Sequence, residues 1–302
     1  MPDSRRFLLL ILFLVAAAFA RADDLNRELN DHYSNRNFLL RGFYQGEHLR
    51  YDARGQLAEG ASTGDWTEAI VRVERIKVSH QKLRIEANRM LATATGQKGL
   101  GLIESSRDVT IDVKLGAAAK GPGEIDSILG QIFLNQQDRL LDVVPDYWRP
   151  CLKVALAGVD DATYRCHFSS ELVSLPGVGS YSKDDPALTS TASNADLSLV
   201  SRGPDGKMHP VRNGVTPPKM ISHTEPEFND AARRAHVKGT VILAIVIDRT
   251  GIPRDIRVAA PLGCGLDAQA VRAVQTWKFQ PAMRDGQPIS VEVAMEADFR
   301  MY

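Results

Sequence analysis

Thr240-Val-Ile-Leu-Ala-Ile-Val-Ile-Asp248 and Ile289-Ser-Val-Glu-Val-Ala-Met-Glu-Ala-Asp-Phe299 decide the fold of the last third of this chain. The first run is too short and too rich in β-branched residues for a buried helix, so it reads as a strand. The second alternates. Ile289, Val291, Val293, Met295, Ala297 and Phe299 face one way, and Ser290, Glu292, Ala294, Glu296 and Asp298 the other, as in a half-buried antiparallel strand. Between them Asp248-Arg-Thr-Gly251 predicts a turn with Gly251 at positive φ, and Ile256, Val258 and Ala260 alternate on a return strand. Leu266 and Asp267 open a helix, with Asp267 as its cap, Leu266 stapled against Val271, and Ala270, Val271, Val274 and Trp277 as its buried stripe. Upstream, Thr224-Glu-Pro-Glu227 has the spacing of a capping box. It predicts a shorter helix carrying Phe228, Ala231, Ala232 and Ala235 and ending at Gly239. The order is helix, strand, strand, helix, strand.

Pro226-Glu-Phe228, Gly239-Thr-Val241, Asp248 with Gly251, Gly265-Leu-Asp267, Ala270 with Ala273-Val274, Trp277-Lys-Phe279-Gln-Pro281-Ala282 and Gly286-Gln-Pro288 resemble the C-terminal domain of TonB-family energy transducers. The resemblance covers about 85 of the 302 residues, and Trp-x-Phe-x-Pro is its most specific part. It implies a small antiparallel sheet with two helices, and structural positions at Gly239, Gly251, Asp267, Trp277, Phe279 and Pro281. It also implies a partner. In that family the short box of an outer-membrane TonB-dependent receptor docks as an added strand, supporting energy-dependent transport. Transferred by position, the binding edge is Ser290 to Asp298. The transducers also carry an anchor helix with a polar face for inner-membrane motor proteins, followed by a long Pro-Lys and Pro-Glu spacer. Residues 7–20 hold no His, Ser or charge and the spacer lacks those repeats, which speaks against motor coupling. The alternative is an exported adaptor that uses the same domain for homodimerisation or envelope scaffolding.

The N-terminus supplies the compartment. Arg5-Arg6 precede an apolar run from Phe7 to Ala20, and Ala20-Arg-Ala22 fits small-x-small cleavage. Fourteen helical residues rise about 21 Å, short of a roughly 30 Å hydrocarbon core, so residues 1–22 read as a signal peptide, with a short inner-membrane anchor as the alternative. Export places the chain in the periplasm or cell envelope, where disulfides persist. Cys151 and Cys166 flank the alternating runs Leu152–Leu156 and Thr163–Phe168, read as a hairpin. A turn at Gly158-Val159 sets the two cysteines opposite each other, and one centred on Asp160-Asp161 does not. Cys264 reads as a small buried thiol.

From residue 23 to 175 the pattern is mostly strands: Phe38–Tyr44, Leu49–Asp52, Ala69–Val78, Leu83–Ala94 and Val109–Leu115. Val71 and Val73 fall out of phase with Ile76 and Val78, which predicts a bulge. Ile125, Ile128, Leu129, Ile132 and Phe133 form one helical stripe, and Leu140–Trp148 a short helix stopped by prolines. Residues 176–206 have the Gly, Ser, Asp and Pro content of a flexible linker, and residues 207–302 hold the TonB-like domain. The fold class is α+β.

Equal counts of 37 basic and 37 acidic residues, without a basic patch interleaved with aromatics, exclude a nucleic-acid partner on composition. HExxH, GxSxG and P-loop patterns are absent, and Gly99-Leu-Gly101 lacks the third glycine of a dinucleotide site. His223 with Glu225 and Glu227 reads as solvated charge rather than a metal cluster. No catalytic residue, metal or cofactor is expected.

Overall fold

The computed structural model describes residues 23–79, 81–96, 99–116, 121–179, 181, 185, 188, 200–202, 208–210 and 214–301. The expected leader, residues 1–22, and most of the expected linker lie outside them. The architecture is α+β, and the described chain clusters into two compact units. One holds the residues up to Thr63 with Ile70–Met90 and Ser106–Asn135; the other holds Gly64–Ala69, Leu91–Ser105 and Gln136–Tyr302. The expected boundary at 175 therefore falls inside the second unit.

The first unit opens with a helix, α1 (23–33), in a stretch where periodicity marks no element. Then come β1 (Arg36–Leu39), β2 (Tyr44–Gln45), β3 (His48–Tyr51), β4 (Leu57–Glu59), β5 (Ser62–Thr63), β6 (Ile70–Ser79), β7 (Lys82–Ala94), β8 (Leu100–Lys114) and the helix α2 (Pro122–Ile132), residues 91–94 of β7 and 100–105 of β8 belonging to the second unit. The sheet runs β1-β6-β7-β8-β3-β4, and β3 lies parallel to β8. The predicted bulge is present: the β6–β7 register slips between Val73 and Arg75. There β1, which pairs Ile70 to Val73, also stops. Beyond it α1 takes over. Asn30 accepts from the Ile76 N–H at 2.9 Å and donates to the Ile76 carbonyl at 2.7 Å, and Asn26 does the same for Val78. Two carboxamides one helical turn apart thus match backbone groups two residues apart on a strand. In α2, Ile125, Ile128, Leu129 and Ile132 are buried, as the stripe predicted.

The second unit contains α3 (Leu140–Val143), α4 (Arg149–Ala157), α5 (Ser170–Val173), β9 (Val200–Arg202), β10 (Met208–Pro210), β11 (Val215–Thr216), β12 (Lys219–Ser222), α6 (Asp230–Arg234), β13 (Gly239–Ile247), β14 (Pro253–Ala260), α7 (Leu266–Thr276), β15 (Lys278–Gln280), β16 (Ala282–Arg284), β17 (Gln287–Ile289) and β18 (Val291–Phe299). Its main sheet is antiparallel, in the order β10-β9-β18-β13-β14. Helix α7 packs on β13 and β14.

Several local expectations need correction. The run after Cys151 is helix α4, not a hairpin strand. Pro150 sits in its first turn and Gly158 closes it at φ 63°, and these are the start and stop signals of a helix. Cys166 nevertheless reaches Cys151, and the two are disulfide-bonded with Cα atoms 5.4 Å apart. Helix α6 begins at Asn229, whose side chain accepts from the Ala232 N–H at 2.7 Å, not at Thr224. The Thr224 carbonyl is instead held by Trp277 Nε1 at 2.9 Å, so tertiary contact overrides the capping-box spacing. Asp267 does not cap α7. Gly265 stands at the cap with φ 71°, and Asp267 turns back to accept from Leu262 and Gly263 N–H at 2.9 and 2.7 Å. The last strand breaks at Ser290, where β17 turns to pair β16 and β18 to pair β13.

Two stability outcomes follow. Cys166→Ala opens a loop with a sequence separation of 15, and the unfolding free energy in urea should fall by about 3 kcal/mol. A fall that reducing agent reproduces in the parent protein and not in the variant ties it to the bond. Trp277 is buried, lies beside His223 and Phe279, and donates to Thr224. Trp277→Ala in the full chain should cost about 3–5 kcal/mol; a melt shifted by less than about 1 kcal/mol would place the ring outside the core.

Candidate partner-binding edge

β18 is held on one side along its whole length. Nine register pairs run from Gly239↔Phe299 to Ile247↔Val291. The turn that returns β13 into β14 is fixed by Asp248, whose Oδ1 accepts from the N–H groups of Thr250 at 2.8 Å and Ile252 at 3.0 Å. Gly251 has φ 81°, and a Cβ there would collide with the Phe279 carbonyl oxygen, so this turn requires glycine. The outer side of β14 is covered, since α4 packs on it and Arg165 N–H donates to the Ala259 carbonyl at 2.7 Å.

The outer side of β18 differs. β9 pairs only Val291 and Glu292, through Val291↔Ser201 and Glu292↔Val200. Among the described residues no strand pairs with Val293 to Phe299 on the side away from β13. Ala294, Glu296 and Asp298 are exposed there, while Val293 and Ala297 are buried and Met295 is half-buried. Ser290 lies outside the strand. Glu292 departs from the alternation, being only 5% exposed where a solvated side chain was expected. Its carboxylate accepts from the Arg257 guanidinium of β14, which reaches across β13. Tyr164 stands beside this pair; burial raises its pKa, and Arg257 opposes the rise.

The same unit carries a buried polar network that sequence reasoning missed. Asp65 Oδ1 accepts from Thr67 N–H at 3.0 Å and from its hydroxyl at 2.6 Å, and Oδ2 accepts from Trp148 Nε1 at 3.0 Å. The Thr67 hydroxyl in turn accepts from Gly265 N–H at 2.9 Å. Thus Gly64–Ala69 is tied to the loop that opens α7, where Asp267 is also buried. Burial raises the Asp65 pKa against its hydrogen bonds. Burial, and then the Asp65 charge, push Asp267 up to about 7. Cys264, whose N–H donates to the Ala92 carbonyl at 2.7 Å, is buried and its thiol pKa is pushed up, the inert state of a packed cysteine. The signal missed was Asp-Trp-Thr at 65–67: an N-cap acid beside a tryptophan, far in sequence from its partners.

His223 lies 3.3 Å from Glu225 on the surface, and the described residues contain no group of three potential metal ligands. The profile of the family described as Gram-negative bacterial TonB protein C-terminal matches residues 224–301. The chain ends in a TonB-like C-terminal domain. Protein TonB of Vibrio cholerae is 28% identical over 89 residues, covering 29% of this chain and 36% of its own length. Protein tonB2 of Pseudomonas aeruginosa is 33% identical over 82 residues, covering 27% of this chain and 30% of its own. This chain thus spans about a third of the length of the curated relatives it matches. A solution NMR structure of the Pseudomonas aeruginosa TonB C-terminal domain aligns at 18% identity and a TM-score of 0.24, over 30% of this chain and 90% of that one.

The buried acids make a pH dependence. A carboxyl whose folded pKa exceeds its unfolded value binds its proton more tightly when folded. For Asp267 that stabilisation is complete below about pH 4 and is lost as pH rises through about 7, by the order of 4 kcal/mol. Urea melts of the full chain should therefore weaken between pH 5 and 8. Asp65→Asn removes the neighbouring charge and should shift the loss to lower pH; a flat or rising profile in the parent protein would contradict the assignment.

Proposed function

We propose that the protein is a non-catalytic envelope binding module whose TonB-like domain takes up an extended peptide by strand addition along β18. The partner is the box of an outer-membrane receptor, and the activity serves energy-dependent transport. The carrying observation is that, among the described residues, no strand pairs the outer side of β18 from Val293 to Phe299, within the stretch that the TonB C-terminal family profile matches. A row of unmet N–H and C=O groups on a strand whose other side is fully paired is a template for an added strand. Among the described residues no helix is long and apolar enough to cross a membrane, and residues 1–22 read as an export leader. The proposed location is the periplasm or cell envelope.

A second reading keeps support from one feature. The TonB-like domain shares its compact unit with Gly64–Ala69, Leu91–Ser105 and the described residues from 136 to 179, joined by the Gly265 N–H to the Thr67 hydroxyl and the Cys264 N–H to the Ala92 carbonyl. A domain so embedded suits a rigid adaptor or homodimer as well as a reaching arm.

Glu292 is unsuitable as a test position, because it is buried against Arg257 and paired with β9. Ala294 and Met295 are better. Successive residues of an antiparallel strand direct their N–H groups to opposite sides, so proline at one removes a β13 bond and at the other an outward donor. We expect one of Ala294→Pro and Met295→Pro to destabilise the fold, and the other to melt within about 2 kcal/mol of the parent. The folded variant should lose binding to a receptor-box peptide, measured by fluorescence polarisation. Retained binding by the folded variant, or no binding by the parent, would replace strand addition with the adaptor reading.

A further inference from the structure

We propose that β9 is a cover strand built into the chain, an intramolecular competitor that occupies the first two positions of the β18 edge. The proposal rests on the strand-addition reading of that edge. β9 is three residues long and runs antiparallel to β18, and on its other side it has only the three pairs of β10. An incoming strand laid along the full edge must displace it, whereas one limited to Val293–Phe299 need not.

What β9 covers is chosen by charge. Exposed carboxylates guard the open part of the edge at Glu296 and Asp298, and such charges keep bare strands from pairing indiscriminately. The first two positions have no such guard. Val291 is fully buried, and Glu292 is buried with its carboxylate committed to Arg257. Backbone pairing at Val291 and Glu292 is therefore screened by a strand, and beyond them by side chains.

The cover is weak by construction. Two register positions supply one or two backbone hydrogen bonds, each worth only a few-fold to about tenfold in water. Because β9 is tethered to the same chain, it acts at high effective concentration and lowers the apparent affinity of a full-length incoming strand by the fraction of time the edge is covered. Removing it should tighten such a ligand roughly tenfold. A partner that engages the whole edge thus reports its fit by winning the first two positions, and short or poorly matched segments are left at the guarded end.

The test uses the full chain and the double variant Val200→Pro/Ser201→Pro, in which both residues that pair with β18 lose their N–H groups and can no longer keep the strand's ladder. Amide hydrogen exchange reads the cover directly. In the parent protein one of the Val291 and Glu292 amides should be protected by β9 and lose that protection in the variant, while the amides bonded to β13 stay unchanged. Unchanged exchange at both residues overturns the proposal, whatever happens to binding. A fluorescein-labelled receptor-box peptide then reads the consequence. The expected result is about tenfold tighter binding to the variant, with β18 intact by melt. Equal affinity for parent and variant overturns the gating role and leaves strand addition standing. Failure of the peptide to bind either protein overturns strand addition and, with it, the gate. A peptide of residues 196–204, the chain's own cover sequence, should bind the variant and compete with the receptor peptide; absence of competition counts against the shared site.

Discussion

An antiparallel sheet leaves one row of backbone donors and acceptors unmet on its outermost strand, and each such group must find water, a side chain or another strand. Much of this chain's irregular detail answers that constraint. Where β1 ends beside the bulge in β6, Asn26 and Asn30 of α1 supply carboxamides to Val78 and Ile76 in place of a strand. Where β14 faces outward, α4 and the Arg165 N–H close it. On β18 the closure by described residues reaches only Val291 and Glu292, as the proposed binding edge requires. A fully paired strand offers no template, and a bare one pairs with anything.

The second constraint is the price of buried charge. Asp65 and Asp267 are both inside the protein; burial raises the pKa of each, and the Asp65 charge pushes Asp267 up further. Each is tolerated because it accepts hydrogen bonds that the surrounding loops would otherwise leave unmet: Asp267 from Leu262 and Gly263, Asp65 from Thr67 and Trp148. The loop before α7 needs those acceptors. Gly263, Cys264 and Gly265 all take positive φ, and their N–H groups are met one by one, Gly263 by Asp267, Cys264 by the Ala92 carbonyl and Gly265 by the Thr67 hydroxyl. The segment Gly64–Ala69 is the other half of that solution, which explains why the TonB-like domain is embedded in a larger unit.

The parts of this architecture legible in sequence were those set by local period. The β-branched run of β13, the alternation of β18, the slipped phase in β6 and the α2 stripe each depend on neighbours within a few residues. Misreadings arose where two local signals competed. Residues 151–157 alternate like a strand, but Pro150 and Gly158 bracket a helix, and the brackets prevailed. Thr224 to Glu227 has the spacing of a cap, yet the indole of Trp277, 53 residues away, holds Thr224 in an extended stretch. The helix α1 went unread because its signal is polar. Asn26 and Asn30 recur at i and i+4 for the sake of a strand that periodicity cannot see. In the candidate edge, alternation placed Glu292 in water by parity alone, and no pattern within β18 could disclose Arg257 waiting two strands away.

That last discrepancy matters for how the edge works. With Glu292 facing water, the edge would carry an evenly spaced acidic guard from end to end. Turned inward onto Arg257, it leaves the start of β18 apolar and unguarded while the far end keeps Glu296 and Asp298. A strand approaching such an edge meets repulsion or attraction according to its own charge at one end only, and pure backbone complementarity at the other. Specificity can then come from the charged end and affinity from the apolar end. The chain places its own short strand at the apolar end, where indiscriminate pairing would otherwise be strongest.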